Sequence, residues 1–246
     1  MHKNIPLVVG ITILFLGLAI QPSVATVQPE KETDVEPKDY LFQIIINIAN
    51  NPDVKNLLEQ YNHNLFTSDY DYRNAFLQLL FKKPRLLFNV LFTKPSITYN
   101  YLDKSYNRGI EITNIIGEDN VLDMIASIEV TNPELFNEFN NIIMNDEELS
   151  GRLATLKEIN KEYVSDLSWG FPIICNIVYN IFAYQFITMM ILIQIYEDYY
   201  YNNPVIFLIL GTWFNMKAMI ALSSIFILGI LNCPQFPISI LKNNRL

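Results

Sequence analysis

Residues 171–196 read FPIICNIVYNIFAYQFITMMILIQIY, twenty-six positions without one Asp, Glu, Lys or Arg. Residues 205–231 read VIFLILGTWFNMKAMIALSSIFILGIL, twenty-seven positions in which Lys217 is the one charge. A helix needs about 20 apolar residues to cross the ~30 Å hydrocarbon core of a bilayer, and both stretches exceed that. At 1.5 Å per residue the second would reach about 40 Å, so tilt or protruding ends are expected. Trp169 stands before the first stretch and Tyr196, Tyr199, Tyr200 and Tyr201 close it, aromatic flanks that suit the two water–lipid boundaries. Pro204 and Pro234 bracket the second, where helices start and stop. The pattern predicts a transmembrane hairpin, with a first helix over 169–196, a short loop over 197–203, a second helix over 204–231 and a tail over 232–246. Two buried helices of a soluble core are the alternative.

The N-terminal apolar run is of another kind. Met1, His2 and Lys3 precede the run from Ile5 to Ile20, which is too short for a comfortable span, and Ser23 and Ala25 are small residues at the alternate positions a signal peptidase accepts. Residues 1–25 read as a secretory signal cleaved after Ala25, with an uncleaved anchor as the alternative. Residues 26–38, rich in Glu, Pro, Lys and Asp, read as a disordered leader. Export would leave residues 26–168 outside, place 197–203 in the cytoplasm and return the tail to the outside. The expectation is a multi-pass cell-membrane protein with an extracytoplasmic body. The positive-inside rule points the other way, because the loop has no Lys or Arg while the tail carries Lys242 and Arg245, but two charges are a small bias.

Residues 39–168 lie between signal and hairpin, and their apolar positions recur at helical spacing. Leu41, Ile44, Ile45 and Ile48 are followed by Val54, Leu57, Leu58 and Tyr61, then Phe76, Leu79 and Leu80. Asn51 before Pro52, Ser68 with Asp71, and Asn132 before Pro133 mark helix starts. A last helix from Asp146 onward, with Leu149, Leu153, Leu156, Tyr163 and Leu167 on one stripe, should run toward Trp169. The predicted fold class is all-α: a helical extracytoplasmic domain of short helices followed by a C-terminal two-helix transmembrane hairpin. Phe81–Leu91 aligns without gaps on Phe92–Leu102, a tandem duplication whose eleven-residue period would turn both copies to the same face, although Pro84 and Pro95 interrupt any continuous helix.

The whole chain has 246 residues, 51% hydrophobic and 17% charged, with 8 Gly, 12 Pro and 2 Cys, which excludes collagen-like, disordered and disulfide-stapled classes. Its net charge of -8 argues against nucleic acid as a partner. That charge is sorted. From Tyr72 to Leu102 there are five bases, Arg73, Lys82, Lys83, Arg85 and Lys94, and no acid, whereas Gly109 to Gly151 holds ten acids and no base. The two halves could neutralise each other on folding or stand as solvated faces. Alternatively Lys82, Lys83, Arg85 and Lys94, interleaved with Phe88 and Phe92, form a lipid-surface patch, and the acidic half takes a cation or a basic partner.

Chemistry is sparse. The mature chain would have His63 as its one imidazole, in a polar segment that reads as a solvated loop, so neither a His-rich metal site nor a catalytic triad is supported. Asp69-Tyr70-Asp71 begins like a calcium loop, but Arg73 takes the third ligand position, and helix capping is the better reading. No catalytic residue, cofactor or metal site is predicted. Pairing the two long stretches about a turn near Tyr201 puts Cys175 opposite Phe226, so a Cys175–Cys233 bridge is not expected. The same pairing sets Lys217 against Tyr184 and Gln185. Tyr184 shares an every-fourth-residue polar stripe with Asn176, Asn180 and Thr188. An ammonium inside a bilayer needs a partner, and two readings stand: interhelical hydrogen bonding that holds the hairpin or docks a subunit, or an ion or proton path in a larger assembly.

The general layout, together with the stretch Asn51-Pro52-Asp53-Val54-Lys55-Asn56-Leu57-Leu58, resembles exported, membrane-anchored helical archaeal proteins of unknown function. That resemblance implies neither an activity nor a site. The expected function is binding or structural assembly at the bilayer, non-catalytic, with a protein partner or self-association. The alternative is a small subunit of a membrane transporter or intramembrane enzyme that uses Lys217.

Overall fold

Short polar side chains cap some of the helices of the computed structural model and a proline opens others; the structure describes residues 36–60, 66–68, 70–130, 133–162, 172–199 and 204–233. The elements are α1 (Pro37–Asn50), α2 (Pro52–Gln60), β1 (Phe66–Ser68), α3 (Arg73–Lys82), α4 (Pro84–Phe92), α5 (Tyr99–Ile116), α6 (Glu118–Ala126), β2 (Ile128–Val130), α7 (Pro133–Asn145), α8 (Glu147–Glu162), α9 (Ile173–Tyr199) and α10 (Pro204–Ile230). Asn51 Oδ1 accepts from the amides of Asp53 at 2.9 Å and Val54 at 3.2 Å, capping α2. Asp71 accepts from the Arg73 amide at 2.9 Å before α3, and Asp146 from those of Glu148 and Leu149 at 3.1 Å each in α8. The Arg73 amide and then the Gln194 side chain hold the Asp71 carboxyl below its usual range. The signal and the leader up to Val35, His63, Asn132, the Tyr163–Trp169 continuation of α8 and the tail beyond Cys233 lie outside the described residues.

The protein is mostly helical. Its one described sheet is a two-stranded antiparallel ladder pairing Phe66 with Val130, Thr67 with Glu129 and Ser68 with Ile128. The α1 stripe of Leu41, Ile44, Ile45 and Ile48 is fully buried, and it shares a core with Val54 and Leu57 of α2, Leu79 of α3 and the hairpin helices. Each such side chain contributes roughly 1.5–3 kcal/mol by leaving water. Helix α9 lies against α10 and α5 and is also touched by α1, α3, α4, α6 and α8. Phe139 of α7 meets Phe226 of α10 at 5.3 Å between ring centres, and Tyr72 meets Phe186 of α9 at 6.2 Å.

The duplicated segment does not repeat in three dimensions. In the first copy Pro84 opens α4 directly after a break at Lys83, whereas in the second the chain stays non-helical through Pro95 until Thr98 caps α5 by accepting from the Tyr101 amide at 3.4 Å. The first copy has Leu87 at the position of Thr98, and leucine cannot cap. Helix α5 then ends at Gly117, whose φ of 96° is a conformation that residues with a β-carbon avoid.

Helices α9 and α10, 27 residues each, are long and apolar enough to cross a membrane. Cys175 and Cys233 are disulfide-bonded, with Cα atoms 5.7 Å apart, which corrects the expectation that they stay separate. The pairing rule assumed that α10 continues straight to its end. Instead the Asn232 amide donates to Gly229 O and the Cys233 amide to Leu228 O, 3.1 Å each, with Asn232 at φ 50°. These bonds make a Schellman cap, which turns the chain back and carries Cys233 to the start of α9. Asn160 of α8 donates its amide to Cys175 Sγ at 3.7 Å.

The start of the fold is tied to α5 by Lys38, paired with Asp103 at 3.1 Å, and by the Tyr99 hydroxyl, which donates to Asp39. That hydrogen bond pushes the Tyr99 phenol from near 10 up to about 12. A folded-state value above the unfolded one means that the contribution is complete below pH 10 and disappears as pH climbs toward 12. Melting temperature should therefore fall across that interval, and Tyr99→Phe should flatten part of the fall. Equal slopes for the two proteins would refute the link.

Candidate functional site

Lys217 lies midway along α10 and is fully buried. Its ammonium donates to Thr188 Oγ1 at 2.7 Å and to Gln185 Oε1 at 3.5 Å, and it stands 4.7 Å from the centre of the Tyr184 ring. These described partners are all neutral. Thr188 in turn donates to Tyr184 O at 2.6 Å, one helical turn back in α9.

The network continues into α5, and that extension was not anticipated. The Tyr101 hydroxyl donates to Gln185 Oε1 at 3.1 Å, Gln185 Nε2 donates to Ser105 Oγ at 2.9 Å, and Ser105 donates to Tyr101 O at 2.7 Å. Burial pushes the Tyr101 phenol up, so it stays a donor. Arg108 gives one guanidinium nitrogen to Tyr184 Oη at 3.1 Å and to Thr93 Oγ1 at 3.3 Å. Asn176 and Asn180 sit apart from this cluster: Asn180 Nδ2 donates to Asn176 O at 2.9 Å and Oδ1 at 3.1 Å within α9. The polar stripe is thus divided, with Tyr184, Gln185 and Thr188 around Lys217 and the two asparagines bonded to each other.

Helix α5 reaches α9 this closely because of Gly109. A β-carbon there would stand 2.1 Å from Asn180 O, a main-chain atom. Ser105-x-x-x-Gly109 is a small-residue spacing of the kind that lets helices approach, and it was the available signal for α5 as a partner of the hairpin. Along α5, Tyr101, Leu102, Ser105, Gly109, Ile112 and Ile116 are buried, whereas Lys104, Asn107 and Glu111 are exposed on the outer side. One face covers the first half of α9 and the other is polar.

The basic segment folds as α3 and α4, which pack on each other and on α9, with α3 also on α5, while the acidic α7 packs on α2 and α8. The basic segment thus meets the start of the acidic stretch where α3 packs on α5, while the acidic α7 packs elsewhere. Lys82, Lys83, Arg85, Lys94 and Phe88 are exposed, and the Phe92 side chain lies outside the described ones. Lys82 Nζ donates to Ile115 O at 2.9 Å, so this base also anchors the end of α5.

Among the described residues no group of three or more His, Cys, Asp or Glu side chains comes together to hold a metal. No protein-family model, curated protein or solved structure matches the chain. Chemically, the Lys217 network can join three helices. Both acceptors of the Lys217 ammonium are side-chain oxygens of α9, and Thr188 and Ser105 donate their own protons to main-chain carbonyls.

Proposed function

We propose that this is an exported, membrane-engaging helical protein that acts by binding or structural assembly and not by catalysis, with α9 and α10 as its bilayer element. The observation that carries the reading is a pair of span-length apolar helices held as one unit, by a disulfide at one end and by the Lys217 network at mid-length. The disulfide also supports export. Such bonds persist in oxidising compartments, which suits an extracytoplasmic position for the start of α9 and the end of α10. The same orientation puts residues 26–168 and the tail outside, and a covalent marker outweighs the two tail charges.

Helix α5 and lipid compete for one face of α9. With Lys104 and Glu111 exposed on its far side, α5 cannot sit in hydrocarbon, so lipid contact along all of α9 requires α5 to leave it. The described arrangement is the sheathed one. In cells the full-length protein should remain with membranes through alkaline carbonate washing. Recovery as a monodisperse species in detergent-free buffer would overturn the proposal.

The Lys217 partners also favour assembly over transport. Replacing Lys217 with Leu removes a buried charge while Thr188 keeps its bond to Tyr184 O and Gln185 keeps the one from Tyr101, so no polar group is orphaned. The variant should keep its melting temperature or gain a few degrees. Loss of flux of a candidate solute in a folded Lys217→Leu protein would revive the transporter reading.

A further inference from the structure

The outer faces of α3 and α4 share a composition found in no other described helix pair of the protein. On α3, Arg73, Leu77 and Phe81 follow at four-residue intervals and are exposed, while Ala75 and Leu79 on the opposite side are buried. On α4, Arg85, Phe88 and Asn89 are exposed, opposite the buried Leu86 and Leu87. Phe81 is 78% and Phe88 58% exposed, two large apolar side chains left in water within a segment whose charges are all basic. Lys83 at the corner and Lys94 after α4 are exposed too, and no acid occurs between Tyr72 and Leu102.

We infer that the α3–α4 corner docks on the anionic headgroup surface of a bilayer, with Phe81 and Phe88 entering the interface and Lys83, Arg85 and Lys94 facing acidic lipid. Charge selects this occupant. A row of bases with no interspersed acid is attracted to a negative lipid surface, and aromatic side chains among them gain by leaving water at the headgroup boundary. An acidic protein partner would satisfy the bases but would leave two solvent-exposed Phe rings without a matching apolar depth. This inference rests on the membrane reading above and specifies the lipid class and the surface that meets it.

The test keeps the disulfide intact and places an environment-sensitive fluorophore on a single added thiol in the full chain, either Asn89→Cys on the α4 face or Asn215→Cys in the hairpin. Both positions are exposed, so the variants should fold. With phosphatidylglycerol-rich vesicles the label at 89 should shift to shorter wavelength and be quenched by lipid-borne quencher. With pure phosphatidylcholine, or at high salt, it should not. Changing Lys83, Arg85 and Lys94 to Gln should lower the docked-to-undocked ratio about fivefold per base. A label at 89 that stays in water while the label at 215 enters lipid overturns the docking surface and leaves the membrane reading standing. Lipid contact at 89 with water at 215 supports the surface and removes the hairpin as the bilayer element. Water at both positions overturns both, and equal lipid contact at 89 in neutral vesicles overturns the role assigned to the bases.

Discussion

Breaking the Cys175–Cys233 bond, by reduction or by Cys233→Ser, should destabilise the folded protein by about 4 kcal/mol. The two cysteines are 58 residues apart, and in the chain-entropy account a closed loop of that size removes about 4 kcal/mol of freedom from the unfolded chain. The cost should show as a lower denaturant midpoint, with the slope rising as the unfolded chain expands. It should also be local in structure. The bond joins the first turn of α9 to the cap of α10, so reduction frees the last turn of α10 while the Lys217 network, several turns away, still holds the middle of the hairpin. Hydrogen exchange should therefore rise first around residues 228–233 and only later near 217. Uniform loss of protection along both helices would show that the disulfide and the network are one cooperative unit, and an unchanged midpoint would show that the bond contributes nothing.

Gly109→Ala should weaken the sheath. The new methyl group would stand 2.1 Å from Asn180 O, and because main chain cannot swing aside like a flexible side chain, the helices must separate. Overpacking of this kind costs roughly 1–3 kcal/mol and sometimes more. Against that, Ala is about 1 kcal/mol better than Gly within a helix. In the sheathed arrangement the clash with main chain falls at the upper end of that range, for a net loss of up to about 2 kcal/mol. With α5 detached only the propensity gain remains, so the same substitution should favour detachment by the full clash energy. Melting temperature in the sheathed form should drop by several degrees, and lipid contact of α9 should rise together with it. A drop without more lipid contact would mean that α5 does not control access to α9. No drop at all would mean that α5 and α9 are not packed this tightly.

Contacts between near neighbours in the chain are legible in the sequence, and contacts between distant helices are not. Asn51 and Asp146 act within three residues of themselves, so their capping roles could be read from the chain, and so could the α1 stripe, whose helical spacing shows directly which side is buried. Ser68, by contrast, expected with Asp71 to open a helix, ends β1, and the helix begins only at Arg73. Thr98 shows the limit of such reading. It occupies the place of Leu87 in the duplicated segment, and it caps a helix that starts several residues later than in the first copy, against the expectation of two equivalent copies. The disulfide was missed for a related reason. Residue sums describe two straight helices, whereas a left-handed Asn232 turns the chain at the point where the cysteine sits.

By itself the sequence determined the class of the protein and its most unusual parts: a mostly helical chain ending in two stretches long and apolar enough to cross a bilayer, with one lysine in the second. Length, hydropathy and spacing are properties of a single segment, and they need no partner to be read. Tertiary structure alone decided what surrounds those stretches. It brought Tyr101, Ser105 and Arg108 to the neighbourhood of Lys217, set Gly109 against Asn180, joined Cys175 to Cys233 and kept Phe81 and Phe88 on the outside. Each of these depends on which helix face meets which across tens of residues, and such pairings carry no period along the chain.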